Sequence, residues 1–135
     1  MPRKRTSRLL LPLSAFVYKI IYMNDEKKIL WLGSSRHDLM AFPLEALKEA
    51  GFQLGKVQNG LEPDDWKPFS SVGHGCYEIR IKDTAGAFRV FYVAKFEEAI
   101  YVLHCFQKKS QKTASKDIAL GIERYKEAVA SRSEK

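Results

Sequence analysis

The sequence predicts a single α+β domain with two N-terminal helices, a small twisted antiparallel sheet and a C-terminal helix. The chain has 135 residues, of which 45% are hydrophobic and 29% charged, as in an ordinary globular domain. Three β-rich runs are joined by short links of four and two residues, which favours an antiparallel meander. Helical spacing of apolar residues before and after these runs indicates α+β rather than repeated βαβ units.

The N-terminal part of the domain is expected to form one short strand and two helices. Residues 29–32 are an apolar run that ends at a glycine, which is typical of a strand. Ser34 and Ser35 offer N-caps for the first helix, Pro43 starts the second, and the Asn-Gly pair at 59–60 ends it. The predicted buried stripe of the second helix consists of Leu44, Leu47, Ala50 or Gly51, Leu54 and Val57.

The rest of the domain is expected to contain the meander and the last helix. Residues 61–75 are predicted to be a linking segment, because their prolines and glycines exclude a long helix. Strands are predicted at 76–82, 87–96 and 99–106, and a helix at 115–130.

Strand alternation separates an apolar face of the sheet from a charged one. In the first strand of the meander, Tyr77, Ile79 and Ile81 alternate with charged residues. In the last strand, Tyr101 and Leu103 are expected to face away from His104 and Phe106. Because helices must cover one apolar face, the other face is expected to carry Glu78, Arg80 and Arg89, with His104 nearby. Most strand aromatics are expected to be core residues, but Tyr77 and Tyr92 remain candidates for base stacking.

The formal net charge of +7 indicates an anionic partner, although the excess is unevenly distributed. Residues 1–22 carry five cationic side chains and no acidic one. They are predicted to be a disordered or over-extended tail that precedes a single domain at 23–135. Their apolar run is too short to span a bilayer, so no membrane partner is expected. Within the domain, residues 107–116 hold four lysines and no acid, a flexible strip suited to a phosphate backbone.

The two cysteines, Cys76 and Cys105, are too few for a disulfide scaffold and lack the spacing of a zinc site. A reduced, cytoplasmic protein with both thiols as small core residues fits this pattern best. No metal and no cofactor is predicted.

Four ordered blocks of the sequence resemble the RelE/ParE toxin superfamily, and most of all its phage-derived, HigB-like branch. The blocks are Trp-Lys-Pro at 66–68, Gly-Cys-Tyr-Glu-Ile-Arg at 75–80, Phe-Arg-Val-Phe-Tyr at 88–92, and Tyr-Val-Leu-His-Cys-Phe-Gln-Lys-Lys at 101–109. The resemblance covers about residues 28–128, and the family's fold has the same order of elements as predicted above.

This resemblance implies the toxin of a type II toxin–antitoxin pair. Such toxins of the RelE and HigB branches cut messenger RNA in the ribosomal A site without a metal. The ribose 2′-hydroxyl attacks the adjacent phosphate and leaves a 2′,3′-cyclic phosphate. The implied partners are the ribosome, its mRNA and an antitoxin with a helix-turn-helix domain, and operator DNA is contacted only through that antitoxin.

The chemistry requires a proton acceptor at the hydroxyl, cations at the phosphorane and a proton donor at the leaving oxygen. By resemblance, Arg89 matches the family's strand arginine, and Arg80 falls where RelE has a catalytic lysine. Lys108 or Lys109 falls near the family's basic residue after the last strand. For RNA contacts the candidates are Lys67, Lys112 and Lys116.

The general base and general acid are less well defined by the resemblance. Glu78 replaces a lysine of RelE, so it either acts as the base or merely pairs with Arg80 or Arg89. Glu62 is a second candidate base. His104 is the best remaining donor by its chemistry. Two other functions therefore stay open: a ParE-like inhibitor of gyrase without nuclease activity, and an inactive prophage-derived binding module.

Overall fold

The computed structural model describes residues 26–133, so the predicted tail at 1–22 lies outside the described part. The α+β class, with two N-terminal helices and a C-terminal helix around a sheet, is confirmed. In chain order the elements are β1 (Lys28–Trp31), α1 (Ser35–Met40), α2 (Leu44–Gln58), β2 (Trp66–Pro68), β3 (Cys76–Asp83), β4 (Gly86–Val93), β5 (Ala99–Lys108) and α3 (Ser115–Ser133).

The sheet has five strands in the order β1-β5-β4-β3-β2 and is mixed, which corrects two details of the sequence prediction. First, β1 pairs with β5 in parallel, while the other pairs are antiparallel. The long connection between β1 and β5 allows this, because parallel strands need a long crossover. Second, residues 66–68 form an edge strand inside the predicted linking segment. Pro68 is tolerated there because an edge strand can leave one side unpaired.

Helices α1 and α2 cover one side of the sheet, which we call the α1–α2 face. Its strand residues include Ile79, Val90 and Val102, all fully buried. The buried residues of α2 differ in part from the predicted stripe: Leu44 is 63% exposed, whereas Gln53 is only 2% exposed. The full set of buried α2 residues is Ala46, Ala50, Gln53, Leu54 and Val57.

A pattern of apolar residues does not select Gln53, because its side chain is polar. It can be buried because hydrogen bonds satisfy its amide. Its Nε2 donates to Glu49 and to Asp64, and its Oε1 accepts the backbone N–H of Asp64. These bonds remove the cost of burying an amide and fasten the loop after α2 to the helix.

Helix α3 covers the opposite side of the sheet, the α3 face. A β-bulge changes which side chains reach it, because Phe91 pairs with His104 while Tyr92 pairs with Val102. Leu103 is therefore the extra residue, and alternation restarts after it. As a result, Leu103, His104 and Phe106 all lie on the α3 face, and the predicted opposition of Leu103 to His104 and Phe106 is wrong.

The C-terminal end of α3 is fastened to the β4–β5 connection by a charged side chain. Arg132 donates to both carboxylate oxygens of Glu98 and stacks over the ring of Phe96, 3.8 Å from its centroid. Tyr101 also donates to Glu98. Among residues 26–133, no helix is long and apolar enough to cross a membrane.

Candidate functional site

Strand register brings several predicted site residues onto the α3 face in three neighbouring rows. Arg80 on β3 lies directly opposite Arg89 on β4. A row here is a set of residues on this face that pair across adjacent strands. In the next row on one side, Glu78 lies opposite Phe91. In the next row on the other side, Lys108 on β5 pairs with Ala87. Side chains alternate along each strand, so these residues share one face of the sheet.

Lys67 completes this group, because it lies opposite Glu78 on the short edge strand β2. We call Lys67, Glu78, Arg80, Arg89 and Lys108 the arginine cluster. Lys67 is exposed, Arg80 and Lys108 are half-buried, and Glu78 and Arg89 are each 6% exposed. The cluster thus runs from a sheltered centre to a solvated rim.

Arg89 has a guanidinium group that is only partly satisfied by the protein. One terminal nitrogen donates to the carbonyl of Phe88 at 3.0 Å. Its Nε lies 3.5 Å from Oε1 of Glu78, and neither of these two buried atoms has a hydrogen-bond partner among residues 26–133. Buried polar atoms are nearly always paired, so this ion pair is less well satisfied than is usual in a protein interior.

Burial lowers the pKa of Arg89 below its ordinary value, and the neighbouring Arg80 acts in the same direction. The carboxylates of Glu78 and Asp65 oppose this shift. Like charges placed directly opposite on adjacent strands repel each other. An anion bound between the two guanidinium groups would relieve this repulsion and satisfy their donors.

His104 lies on the same face but is engaged in a buried polar network below α3. Its Nε2 lies 2.7 Å from Oδ1 of Asp117, and its Nδ1 lies 3.5 Å from a guanidinium nitrogen of Arg124. Arg124 also donates to the carbonyl of Leu103 and to the hydroxyl of Ser34. Burial lowers the pKa of His104 despite the opposing effect of Asp117, so the ring is neutral at pH 7.

This geometry assigns the two ring nitrogens of His104 to protein groups. The neutral ring donates from Nε2 to the carboxylate and presents Nδ1 to Arg124. With the residue 5% exposed, a substrate atom reaches neither nitrogen while α3 stays in place. The network holds α1, β5 and α3 together.

The remaining predicted site residues lie around the arginine cluster or away from it. Lys109 and Lys112 are exposed in the segment between β5 and α3, and Lys116 is exposed in the first turn of α3. Glu62 lies with Tyr77 and Tyr92 at a cavity on the α1–α2 face, so it is not brought together with Arg89. Residues 26–133 contain no group of three His, Cys, Asp or Glu side chains arranged to hold a metal ion.

Sequence reasoning missed Asp117 and Arg124, both of which are buried. Apolar periodicity does not select charged residues. One signal was present: Arg124 lies three residues after Gly121 and four before Ala128, which places all three on one side of α3.

The comparison with protein families finds a match. The model of the family described as Phage derived protein Gp49-like (DUF891) matches residues 37–126, which is two thirds of the chain. That family is associated with toxin–antitoxin toxins of the RelE/HigB type. A comparison with curated proteins finds no match. The matched range includes β2 to β5, and therefore the whole arginine cluster.

Proposed function

The chain belongs to the phage-derived Gp49-like family, and from this membership and the arginine cluster we propose that it is a toxin that cleaves mRNA on the ribosome. The toxin is one half of a type II toxin–antitoxin pair and acts in the cytoplasm. Its reaction is a metal-independent attack of the ribose 2′-hydroxyl on the adjacent phosphate, which yields a 2′,3′-cyclic phosphate and a free 5′-hydroxyl.

The observation that carries this proposal is the direct pairing of Arg80 with Arg89 on one face of the sheet. A guanidinium presents a planar fork of donors that matches two phosphate oxygens at once. Two such groups on adjacent strands, with Lys108 one row away, suit the extra negative charge of a pentavalent phosphorane. Nε of Arg89 is buried and has no hydrogen-bond partner among residues 26–133, so it becomes a donor to such an anion when the ion pair with Glu78 opens.

For proton transfer, we assign the general base to Glu78. Its Oε1 lies 3.5 Å from Nε of Arg89 and is buried, so the carboxylate reaches the 2′-hydroxyl when this ion pair opens to admit the phosphate. The carboxylate takes the proton of the 2′-hydroxyl. Because both nitrogens of His104 face protein groups, the leaving 5′-oxygen is served instead by the ammonium groups of Lys108 and Lys109.

The partners follow from the same proposal. The exposed Lys67, Lys112 and Lys116 contact the RNA backbone. A helix-turn-helix antitoxin neutralises the toxin and contacts operator DNA, so the toxin reaches that DNA only through it.

The proposal is tested by inducing the chain in bacterial cells and mapping mRNA ends by primer extension on a translated message. Wild type is expected to arrest growth and to produce new 5′ ends, while Arg80→Ala reduces cutting and Arg36→Ala does not. Arg36 is a matched control, since it is an exposed arginine on α1. Growth arrest without any mRNA cut would contradict the nuclease assignment.

The alternative of a non-nuclease inhibitor of gyrase, as in the ParE branch, is favoured by one observation: Glu78 and His104, the predicted proton-transfer residues, are both buried. In the same experiment, that alternative produces induction of the DNA-damage response and leaves mRNA intact. An inactive binding module produces neither growth arrest nor mRNA cuts.

A further inference from the structure

A cavity of about 250 Å³ opens on the α1–α2 face, at the end of the sheet formed by β2, β3 and β4. Three aromatic side chains form part of its wall: the rings of Trp66 and Tyr77 meet edge-on with centroids 5.0 Å apart, and those of Tyr77 and Tyr92 are 6.0 Å apart. Leu61, 58% exposed, borders the opening. The volume lies just below the range of drug-sized pockets and suits one flat ring system.

Few polar groups line this aromatic cavity, and they include a carboxylate, a phenol and an ammonium group. Glu62 contributes a carboxylate, which only accepts hydrogen bonds when ionised. Burial raises the pKa of Tyr92, with Tyr77 and Glu62 acting in the same direction, so its phenol stays protonated. Lys27 lies at the rim and donates from Nζ to the carbonyl of Ala94 at 2.8 Å.

The cavity is connected to the arginine cluster through the edge strand β2. Trp66 and Lys67 are consecutive, so their side chains point to opposite faces: Trp66 towards the cavity, Lys67 towards Glu78. Only β3 separates β2 from the strand of Arg89, a span of two strand spacings, or about 10 Å. Because β2 is the edge strand of the sheet, the path from the cavity to the arginine cluster runs around this edge.

We infer that the aromatic cavity binds one unpaired nucleobase of an RNA strand whose phosphates lie on the arginine cluster. This inference rests on the proposed function and adds a base-recognition site to it. Unstacked RNA bases are typically held against aromatic side chains and identified by hydrogen bonds to their edges. The carboxylate of Glu62 accepts from an exocyclic amine, so the site favours adenine or cytosine over uracil.

The two charged side chains that line the cavity, Lys27 and Glu62, favour a nucleobase with hydrogen-bonding edges over an apolar side chain of a protein partner. Lys27 at the rim and Lys67 on the same strand as Trp66 both suit a phosphate backbone. An apolar anchor would leave the carboxylate of Glu62 without a partner inside the interface. Binding of a protein side chain is the competing outcome of the titration.

The experiment uses the full chain with Trp31→Phe, which leaves Trp66 as the only tryptophan, since the protein has two. Its fluorescence is titrated with 2′-O-methyl hexanucleotides of adenine, cytosine or uracil, which lack the attacking hydroxyl. N-acetylphenylalaninamide is titrated as the mimic of a protein side chain. We expect saturable quenching by the adenine and cytosine oligomers and several-fold weaker binding of the uracil oligomer.

Two substitutions in the Trp31→Phe background separate the contributions. Tyr77→Ala is expected to weaken binding of the adenine oligomer about tenfold or more, as for the loss of one stacked base. Glu62→Gln is expected to remove the preference for adenine over uracil. Circular dichroism of both variants verifies that they are folded.

The inference is overturned if saturating oligomer leaves Trp66 fluorescence unchanged, or if N-acetylphenylalaninamide saturates the signal and the oligomers do not. It is also overturned if Tyr77→Ala, while folded, binds the adenine oligomer as wild type does. Oligomer binding without any mRNA cleavage by the wild type would refute the proposed nuclease alone. If wild type cleaves mRNA, and the folded Tyr77→Ala and Glu62→Gln variants cleave it with the same base preference, the base-binding role of the cavity is refuted while the nuclease proposal stands.

Discussion

Replacement of Arg89 by methionine should separate its two roles, which are to compensate the buried charge of Glu78 and to bind the phosphate. Methionine fills a similar volume but has no charge, so the carboxylate of Glu78 would remain buried without a cation. Breaking a buried pair in this way costs about 3–5 kcal/mol. Because Nε and Oε1 are 3.5 Å apart and not hydrogen-bonded, we expect a loss of about 3 kcal/mol in the free energy of unfolding.

The same substitution should also reduce catalysis independently of stability. Loss of one donor to a developing anionic transition state costs about 3 kcal/mol, or roughly a hundredfold in rate. The assay combines urea unfolding with single-turnover cleavage of ribosome-bound mRNA at a temperature where the variant is folded. Arg36→Ala serves as the control in both measurements and should change neither.

A double variant, Arg89→Met with Glu78→Gln, tests the stability argument. Removing both charges eliminates the unpaired carboxylate, so stability should return to within about 1 kcal/mol of wild type while cleavage stays low. If the single variant unfolds at the wild-type urea concentration, the two side chains are not coupled. If the single variant cleaves at the wild-type rate, Arg89 does not contact the phosphate, and the reasoning is refuted.

Three further predictions concern the framework that holds the site. Arg132 lowers the pKa of Glu98 from 4.5 to about 2, so this pair stabilises the fold above pH 4.5 and the stabilisation is lost towards pH 2. The melting temperature of Arg132→Ala should therefore depend less steeply on pH between 4.5 and 2 than that of wild type. An unchanged slope would argue against the pair. Asp117→Ala leaves the buried His104 without its acceptor and should lower the free energy of unfolding by about 2 kcal/mol, measured by urea unfolding; a neutral result would mean that the network does not hold α3. A Cβ at position 121 would lie 3.0 Å from the side chains of Phe91 on β4 and Val72 in the β2–β3 connection, so Gly121→Val should cost about 1–3 kcal/mol and lower the melting temperature. A higher melting temperature would show that α3 can move away.

The sequence was sufficient to predict the α+β class and the common face of Glu78, Arg80 and Arg89. Both depend on strand alternation within one meander, where short links fix the register of neighbouring strands. The alternation of β3 is uninterrupted, so the placement of Glu78 and Arg80 followed directly from the pattern.

Other features depend on contacts between segments that are distant in the chain. The bulge at Leu103 carries no glycine or other local signal, so the side on which His104 and Phe106 lie could not be read from alternation. The strand at 66–68 is short and contains a proline, and it exists because β3 offers a partner. The buried pair of Asp117 and His104 joins a helix to a strand and is stable only in the assembled fold.

The central claim is that the arginine cluster stabilises a phosphorane formed by attack of a ribose 2′-hydroxyl. Its most direct test is cleavage of ribosome-bound mRNA that carries a single 2′-deoxy residue immediately 5′ of the cut bond. The account predicts that all-ribose message yields a fragment ending in a 2′,3′-cyclic phosphate and that the deoxy message stays intact at that bond. Equal cleavage of the two messages, or no cleavage of either, would contradict it.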